Sequence, residues 1–228
     1  MRQRLALFDI DGTLITDGGV SREAYAEALT LVYGYDGDLR RYDFSGRTDP
    51  QITHMVLGDA GFPAETIEER MSELWRHYLA GLARNAASGR VRMLDGIRQL
   101  LEALASIDEV TLGLVTGNIE QGARLKLGGV GLNSYFPFGA FGSDSQKREE
   151  LPPIAVARAS AANGHRFDGR DVVIIGDSIY DVRCGVPHGA TTIAIASGRT
   201  SAELLRAENP DHLFMSAADD GVLEAIAG

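Results

Sequence analysis

Short apolar runs separated by helix-like segments form the main pattern of this chain of 228 residues. Such runs occupy residues 5–8, 111–115, 172–176 and 191–195, and a last one is predicted at 212–215. A strand that is buried on both faces of a parallel sheet has this continuous apolar character. The segments that connect the later runs carry apolar residues at helical spacing. The alternation predicts an α/β fold, with a Rossmann-like parallel sheet and helices on both of its faces.

Two glycine-containing segments, 16–19 and 86–89, enclose a stretch whose pattern is helical and contains no convincing strand. Capping residues predict where three helices of this stretch begin. Ser21 is expected to cap the first helix, Asp49 the second and Thr66 the third. The stretch is therefore predicted to fold as helices alone.

The length and the change of pattern together predict two domains. A chain of 228 residues suits one large domain, or a core that carries a smaller inserted one. Since the helical stretch follows the first predicted strand, we expect it to be an insertion. Residues 1–15 and 90–228 are predicted to form a Rossmann-like catalytic core, and residues 16–89 a helical cap domain.

Charge and composition narrow the choice of partners. The net charge is −10 and no basic run occurs, which argues against nucleic acid or an anionic membrane as the main partner. The single cysteine, Cys184, cannot form an intrachain disulfide, so a cytoplasmic location is expected. The first apolar run is too short for a signal peptide, and no stretch has the length of a membrane span. A monomer and a homodimer are both compatible with these features.

Polar side chains follow three of the predicted strands at the point where each strand ends. Asp9 and Asp11 follow the first, residues 116–118 (Thr-Gly-Asn) follow a middle one, and Asp177 and Asp181 follow a later one. Carboxyl ends of parallel strands meet at one edge of a sheet, which is where α/β folds bind their ligands. Buried carboxylates are costly unless a cation or a reaction uses them. The pattern therefore predicts one crevice that binds a divalent cation and a phosphate.

In this order along the chain, the motifs Asp-x-Asp-Gly-Thr (9–13), Thr-Gly-Asn (116–118) and Gly-Asp-x-x-x-Asp (176–181) resemble those of the haloacid dehalogenase superfamily. The similarity is to its Mg²⁺-dependent phosphatases with a helical cap, of the phosphoglycolate phosphatase and β-phosphoglucomutase kind. It spans essentially the whole chain, including the position and length of the cap. It implies a phosphatase that acts on a small phosphorylated metabolite through an aspartyl-phosphate.

The resemblance implies roles for the acidic residues that their chemistry supports. Asp9 would be the nucleophile, and Asp11 would protonate the leaving oxygen and then activate water. Asp9, the backbone carbonyl of Asp11 and Asp177 would hold Mg²⁺, a cation that prefers oxygen ligands. Thr13 would support the turn after the first strand, and Asp181 would orient groups around the metal.

The resemblance also implies a phosphate site and a cation beside it. Thr116, with the amides of Gly117 and Asn118, would hold phosphate oxygens at a helix N-terminus. The family places a lysine, followed by proline, between the second and the last motif, and this chain has no such pair. Arg148 is the preferred candidate for the cation and Lys147 the second.

Two further residues, and the absence of lysine from the predicted cap, bear on the class of reaction and substrate. Arg47, in a glycine-containing loop of the predicted cap, is a candidate for gripping a second anionic group of the substrate. Lys126 is expected at the surface of the helix that follows Asn118. The cap contains no lysine, which argues against a C–P hydrolase, and the presence of Asp11 argues against a dehalogenase.

Other functions stay open at this point. A phosphosugar mutase would use the same aspartyl-phosphate and return the phosphoryl group to a reoriented sugar. A non-catalytic phospho-acceptor module, or an inactive scaffold derived from the family, would keep the acidic pocket without turnover.

Overall fold

A parallel sheet of six strands lies at the centre of the fold, in a computed structural model that describes residues 3–228. The strands of the chain are β1 (Arg4–Phe8), β2 (Ile15–Thr16), β3 (Arg92–Met93), β4 (Val110–Val115), β5 (Gly139–Ala140), β6 (Val172–Gly176), β7 (Thr191–Ile195) and β8 (His212–Phe214). The order in the large sheet is β5-β4-β1-β6-β7-β8, and β2 and β3 form a separate antiparallel pair. The α/β fold with a Rossmann-like parallel sheet is thus confirmed.

Helices lie on both faces of this sheet. Along the chain, the first three helices come between β2 and β3. The helices are α1 (Val20–Tyr33), α2 (Asp49–Asp59), α3 (Ala64–Ala86), α4 (Ile97–Ala105), α5 (Glu120–Gly129), α6 (Leu151–Asn163), α7 (Ile179–Gly185), α8 (Ala202–Ala207) and α9 (Val222–Ala227). Within residues 3–228, no helix combines the length and the apolar character that crossing a membrane requires.

Strand β1 explains why the first apolar run has no polar alternation. Its side chains point alternately to the two faces of the sheet. Ala6 and Phe8 belong to one apolar cluster and Leu5 and Leu7 to another, so both faces of the strand are covered. All four side chains are fully buried. A strand in the middle of a sheet with helices on both faces requires apolar residues at every position.

The register of the central strands brings their carboxyl ends to one level. Phe8, the last residue of β1, pairs with Leu114 of β4 and with Ile175 of β6. The residues that follow these strands therefore emerge side by side at one edge of the sheet.

The helices of residues 20–86 pack on one another, with α1 against α3 as the largest contact between any two helices. Tyr25 of α1 packs its ring against those of Trp75 and Tyr78 of α3. The two chain connections to these helices run side by side, because Ile15 pairs with Met93 in the β2–β3 ribbon.

Two of the predicted helix starts are wrong. Helix α1 begins after Gly19, and its first amides donate to the carboxylate of Asp17 rather than to Ser21: the Gly19 and Ser21 amides lie 2.9 and 3.1 Å from it. Helix α3 begins at Ala64 after Pro63, before the predicted capping box at Thr66, and has no side-chain cap. In both cases the chain reaches helical geometry earlier than the pattern of capping residues indicates.

The predicted cap of α2 is also wrong, by one residue. Thr48 is the N-cap, and it exchanges hydrogen bonds with Gln51 in a capping box of 3.2 and 3.1 Å. Asp49 is the first helical residue, and its carboxylate instead accepts a hydrogen bond from the Ile119 amide at 2.8 Å. The side chain of Asp49 thus connects two segments that are distant in sequence.

Candidate active site

Three buried carboxylates converge at the carboxyl edge of the sheet. Asp9 follows β1, Asp177 follows β6, and Asp181 lies in the first turn of α7. One oxygen of each side chain lies within 4.8 Å of the corresponding oxygens of the other two. We call these three residues the carboxylate cluster. The structure thus brings together acids that are separated by 172 positions (181 − 9) in the sequence.

Glycine residues make room for the carboxylate of Asp177. A Cβ atom at Gly12 or at Gly198 would overlap that carboxylate, so neither position accepts a side chain without a shift. Gly12 also has φ +89°, a conformation that L-residues with side chains rarely adopt. The Thr13 hydroxyl donates to Asp177 Oδ1 at 3.1 Å and fixes the orientation of this carboxylate.

The side chain of Asp181 is held by hydrogen bonds to Ser178, the N-cap of its own helix. The Ser178 amide and hydroxyl donate to Asp181 Oδ2 at 2.9 and 2.6 Å, and the Asp181 amide donates back to the Ser178 hydroxyl at 3.3 Å. This capping box leaves Asp181 Oδ1 directed at the guanidinium of Arg148. A Cβ atom at Gly176 would overlap the side chain of Asp181, so this close approach depends on glycine.

Arg148 is the cation that contacts the carboxylate cluster. Its Nη2 lies 3.2 Å from Asp9 Oδ1 and donates a shorter hydrogen bond to Asp181 Oδ1. Its side chain is only 4% exposed. Lys147 points away: its side chain is 67% exposed and its Nζ lies 3.5 Å from Glu150 Oε1. Of the two cations proposed from the sequence, Arg148 is the one placed beside Asp9.

The electrostatics of the cluster favour a further positive charge. Burial, opposed by Arg148 and reinforced by Asp181 and Asp11, raises the pKa of Asp9 to about 6. Burial and the charges of Asp181 and Asp9 hold the pKa of Asp177 well above its usual range. Three carboxylates face one guanidinium, which leaves two negative charges uncompensated when all are ionised. A divalent cation with a preference for oxygen ligands fits this site in charge and in ligand type.

Replacing Asp177 with asparagine is expected to raise the free energy of unfolding of the metal-free protein by about 1–3 kcal/mol. The change removes a buried charge that Asp181 and Asp9 repel. A carboxyl whose pKa is raised in the folded state destabilises that state as the pH rises from its unfolded towards its folded value. The gain should therefore be larger at about pH 8 than at about pH 4, measured by denaturant unfolding in EDTA.

Asp108→Asn serves as the control for this measurement, because Asp108 is exposed in the loop before β4, away from the cluster. Its unfolding free energy should match that of the wild type at both pH values. A loss of stability at about pH 8 in Asp177→Asn would show that the carboxylate is not under electrostatic repulsion.

A second polar group lies beside the cluster and contains a buried lysine. Lys126 Nζ donates to Asp11 Oδ2 and to Asn118 Oδ1, both at 2.6 Å, and its side chain is 3% exposed. The expectation that Lys126 is at the surface is therefore wrong. Its position three residues after Ala123, a fully buried residue of α5, shows the reason. Helical spacing from that alanine and from Leu127 could have placed Lys126 on the inward face.

The 116–118 loop contacts Asp11 and the start of α2. Asn118 Nδ2 donates to Asp11 Oδ2 and to Thr116 Oγ1, each at 2.9 Å, and Thr116 is fully buried. The carbonyl of Gly117 accepts from the Asp49 amide at 2.8 Å. A Cβ atom at Gly117 would overlap the backbone carbonyl of Arg47, so the two loops can pack this closely only with glycine here.

A cleft of about 490 Å³ opens over these residues. Asp9, Asp11 and Asp177 line it, together with residues of α1 and of the loop before α2. The cationic residues that line it are Arg22, Arg47, Lys126, Arg148 and Arg199. Arg47 thus faces the cleft, and its guanidinium lies 5.4 Å from the ring centre of Tyr180.

The chain matches the family model of the haloacid dehalogenase-like hydrolases over residues 6–185. A second model, described as HAD-hydrolase-like, matches residues 153–219. Since the first match covers more than half of the chain, the protein belongs to the haloacid dehalogenase-like hydrolase family, in agreement with the order of its motifs.

The individual proteins that this chain resembles have low sequence identity to it. The tyrosine-protein kinase PtkA of Mycobacterium tuberculosis is 26% identical over 227 residues, which cover 98% of this chain and 72% of that protein. Among solved structures, CbbY of Rhodobacter sphaeroides in complex with phosphate has a TM-score of 0.79 and 18% identity, covering 99% of this chain and 100% of CbbY. A predicted phosphoglycolate phosphatase of Haemophilus somnus has a TM-score of 0.71 and 17% identity, covering 98% and 97%. These structures share the fold.

Proposed function

We propose that the protein is a Mg²⁺-dependent phosphatase that hydrolyses a small phosphate monoester through an aspartyl-phosphate. The observation that carries this proposal is the carboxylate cluster with Arg148 beside Asp9, next to the 116–118 loop. Family membership supports a hydrolase, and one neighbouring structure is described as holding phosphate. A small phosphorylated metabolite as the partner and a cytoplasmic location belong to the same proposal.

The division into two domains is part of the proposal as well. Residues 1–15 and 90–228 would form the catalytic core, and residues 16–89 a cap that closes over the cleft. The β2–β3 ribbon, where both connections to the helical stretch run together, supports this division. Closure would exclude water and bring Arg47 towards the substrate.

The reaction would proceed in two displacements at phosphorus. An Asp9 oxygen attacks the phosphoryl group, a new phosphorus–oxygen bond forms, and the ester bond breaks as Asp11 gives its proton to the leaving oxygen. Asp11 then takes a proton from water, whose oxygen attacks the same phosphorus. The bond to Asp9 breaks, which releases inorganic phosphate and restores the carboxylate.

Other residues would bind and orient the phosphoryl group. Arg148 contacts Asp9 at 3.2 Å, so its guanidinium would also donate to phosphoryl oxygens during attack. Thr116 and the amides of Gly117 and Asn118 would hold oxygens of the same group before α5. Asp181 would orient Arg148 through the hydrogen bond between them.

The carboxylates of Asp9 and Asp177 and the backbone carbonyl of Asp11 would hold Mg²⁺, with Thr13 orienting Asp177. The bound cation would neutralise charge on the cluster and on the phosphoryl oxygens. Oxygen ligands and the surplus of negative charge favour Mg²⁺ over zinc at this site.

Phosphate release from a panel of phosphate esters, with and without EDTA, tests the proposal. The panel should contain sugar phosphates, phosphoglycolate, nucleotides and, because one relative is named a tyrosine-protein kinase, phosphotyrosine. At least one ester should be hydrolysed in Mg²⁺, with a loss of about 100-fold or more in EDTA. Activity that survives chelation would contradict the proposal, and conversion of a sugar phosphate to its isomer without phosphate release would favour a mutase.

A further inference from the structure

Lys126 carries a buried charge, and the reaction proposed above gives its side chain no role. The chain contains two lysines, and Lys147 is the other one, at the surface. Burying an ammonium group is unfavourable unless partners compensate, and an apolar residue would fill the same space at less cost. The burial of Lys126 beneath the cleft therefore indicates a use for its charge or its hydrogen bonds.

The contacts of Lys126 converge on one oxygen of Asp11. Asp11 Oδ2 accepts from Lys126 Nζ at 2.6 Å and from Asn118 Nδ2 at 2.9 Å. Lys126 Nζ also donates to Asn118 Oδ1 at 2.6 Å, so the three side chains form a closed triangle of hydrogen bonds. This geometry fixes the rotation of the Asp11 carboxylate, while Asp11 Oδ1 has no hydrogen-bond partner among residues 3–228.

The surroundings of Lys126 keep it protonated. Burial lowers the pKa of Lys126, but Asp11, Tyr78, Asp17 and Asp49 act against burial, and the net effect raises the pKa above its usual value. The ammonium group is therefore charged at neutral pH and donates to Asp11 and Asn118. Asp17 and Asp49 line the same cleft as Lys126.

We propose that Lys126, together with Asn118, is a positioning residue that holds the Asp11 carboxylate in the orientation for proton transfer to the leaving oxygen. This inference rests on the proposed phosphatase function, in which Asp11 is the acid. Without the triangle, Asp11 would be free to rotate, and only a fraction of its orientations would suit proton transfer. Asp11 also accepts a proton from water in the second displacement, which is the same for every ester. The dependence on the leaving group is therefore confined to the first displacement, which kcat/KM reports.

Two classes of ester separate this role from a structural one. An alkyl phosphate releases a strongly basic alkoxide and depends on general acid catalysis, whereas 4-nitrophenyl phosphate releases a stable anion and depends on it little. Lys126→Met is expected to lower kcat/KM for an alkyl phosphate of the panel at least about 10-fold more than kcat/KM for 4-nitrophenyl phosphate. Lys147→Met, the change of the surface lysine, should leave both rates unchanged.

A double-mutant cycle with Asp11→Asn gives the second readout. If Lys126 acts through Asp11, adding Lys126→Met to Asp11→Asn should cause no further loss on the alkyl phosphate. Equal losses of kcat/KM on both esters, or losses that multiply in the double variant, would overturn the inference. If Lys126→Met does not fold, Lys126→Gln takes its place and the ratio between the two esters decides in the same way.

Failure of this inference is distinguishable from failure of the proposed function. If wild-type hydrolysis of 4-nitrophenyl phosphate is unaffected by Asp9→Asn, the aspartyl-phosphate mechanism itself fails. If that hydrolysis depends on Asp9 but Lys126→Met affects both esters alike, only the role of Lys126 fails.

Discussion

Asp9→Asn is expected to lower the rate of phosphate release by at least about 1,000-fold, because it removes the proposed nucleophile while leaving the site nearly the same in shape. The free energy of unfolding should not fall. The pKa of Asp9 is raised to about 6, chiefly by burial, so the change removes an unfavourable buried charge. Measuring kcat together with the thermal unfolding midpoint separates loss of chemistry from loss of structure.

The matched control for Asp9→Asn is again Asp108→Asn, the same chemical change at an exposed position. It should retain the wild-type rate. If Asp9→Asn kept more than about a tenth of the wild-type kcat while folded, the attacking group would have to be another one.

Arg148→Met is expected to lower kcat by about 100- to 1,000-fold, because it removes the donors that balance charge on the phosphoryl group during attack. It should also destabilise the metal-free protein by about 3–5 kcal/mol, since it leaves two carboxylates without their buried partner. The two carboxylates are those of Asp9 and Asp181, and their side chains are buried, as is that of Arg148. Kinetics in Mg²⁺ and denaturant unfolding in EDTA measure the two effects.

Two further variants sharpen this prediction. Arg148→Lys keeps the charge but loses the forked geometry, so it should recover part of the stability and less of the rate. Arg166→Met removes a guanidinium whose side chain is 88% exposed and should change neither quantity. A stable and fully active Arg148→Met variant would exclude Arg148 from the reaction.

The central strands β1, β4, β6 and β7 were predictable because most of their residues are buried on both faces of the sheet. Leu5 to Phe8 show no alternation of polar and apolar residues, and the runs that end at Val115 and Gly176 have the same character. The polar residues after these runs could be placed at one edge of the sheet for the same reason. Phe8 pairs in register with neighbours on both sides, which is the structural basis of that prediction.

The orientation of single side chains was harder to predict. Lys126 was expected at the surface because charged residues of a helix usually lie there, whereas three carboxylates and an asparagine compensate its burial. Asp49 was expected to cap its own helix, but it accepts a hydrogen bond from Ile119 of another segment. Helical spacing could have placed Lys126 on the inward face of α5, but local patterns do not identify the partners of either side chain, which are distant in sequence.

The lining of the cleft was the least predictable feature. Arg22 and Arg199 line it together with Arg47, but they lie in α1 and in the segment after β7, outside the motifs. Their presence depends on how these segments pack across the cleft. Motifs at strand ends identify the reaction more readily than they identify the residues that contact the rest of the substrate.

Trapping the phosphorylated protein tests the central claim most directly. Rapid mixing with a substrate of the panel in Mg²⁺, followed by borohydride reduction, should convert a phosphorylated aspartate to homoserine, which peptide mass spectrometry can locate. The account predicts homoserine at Asp9 in the presence of substrate and none when substrate is left out. Turnover with Asp9 unmodified, or homoserine at another aspartate, would contradict it.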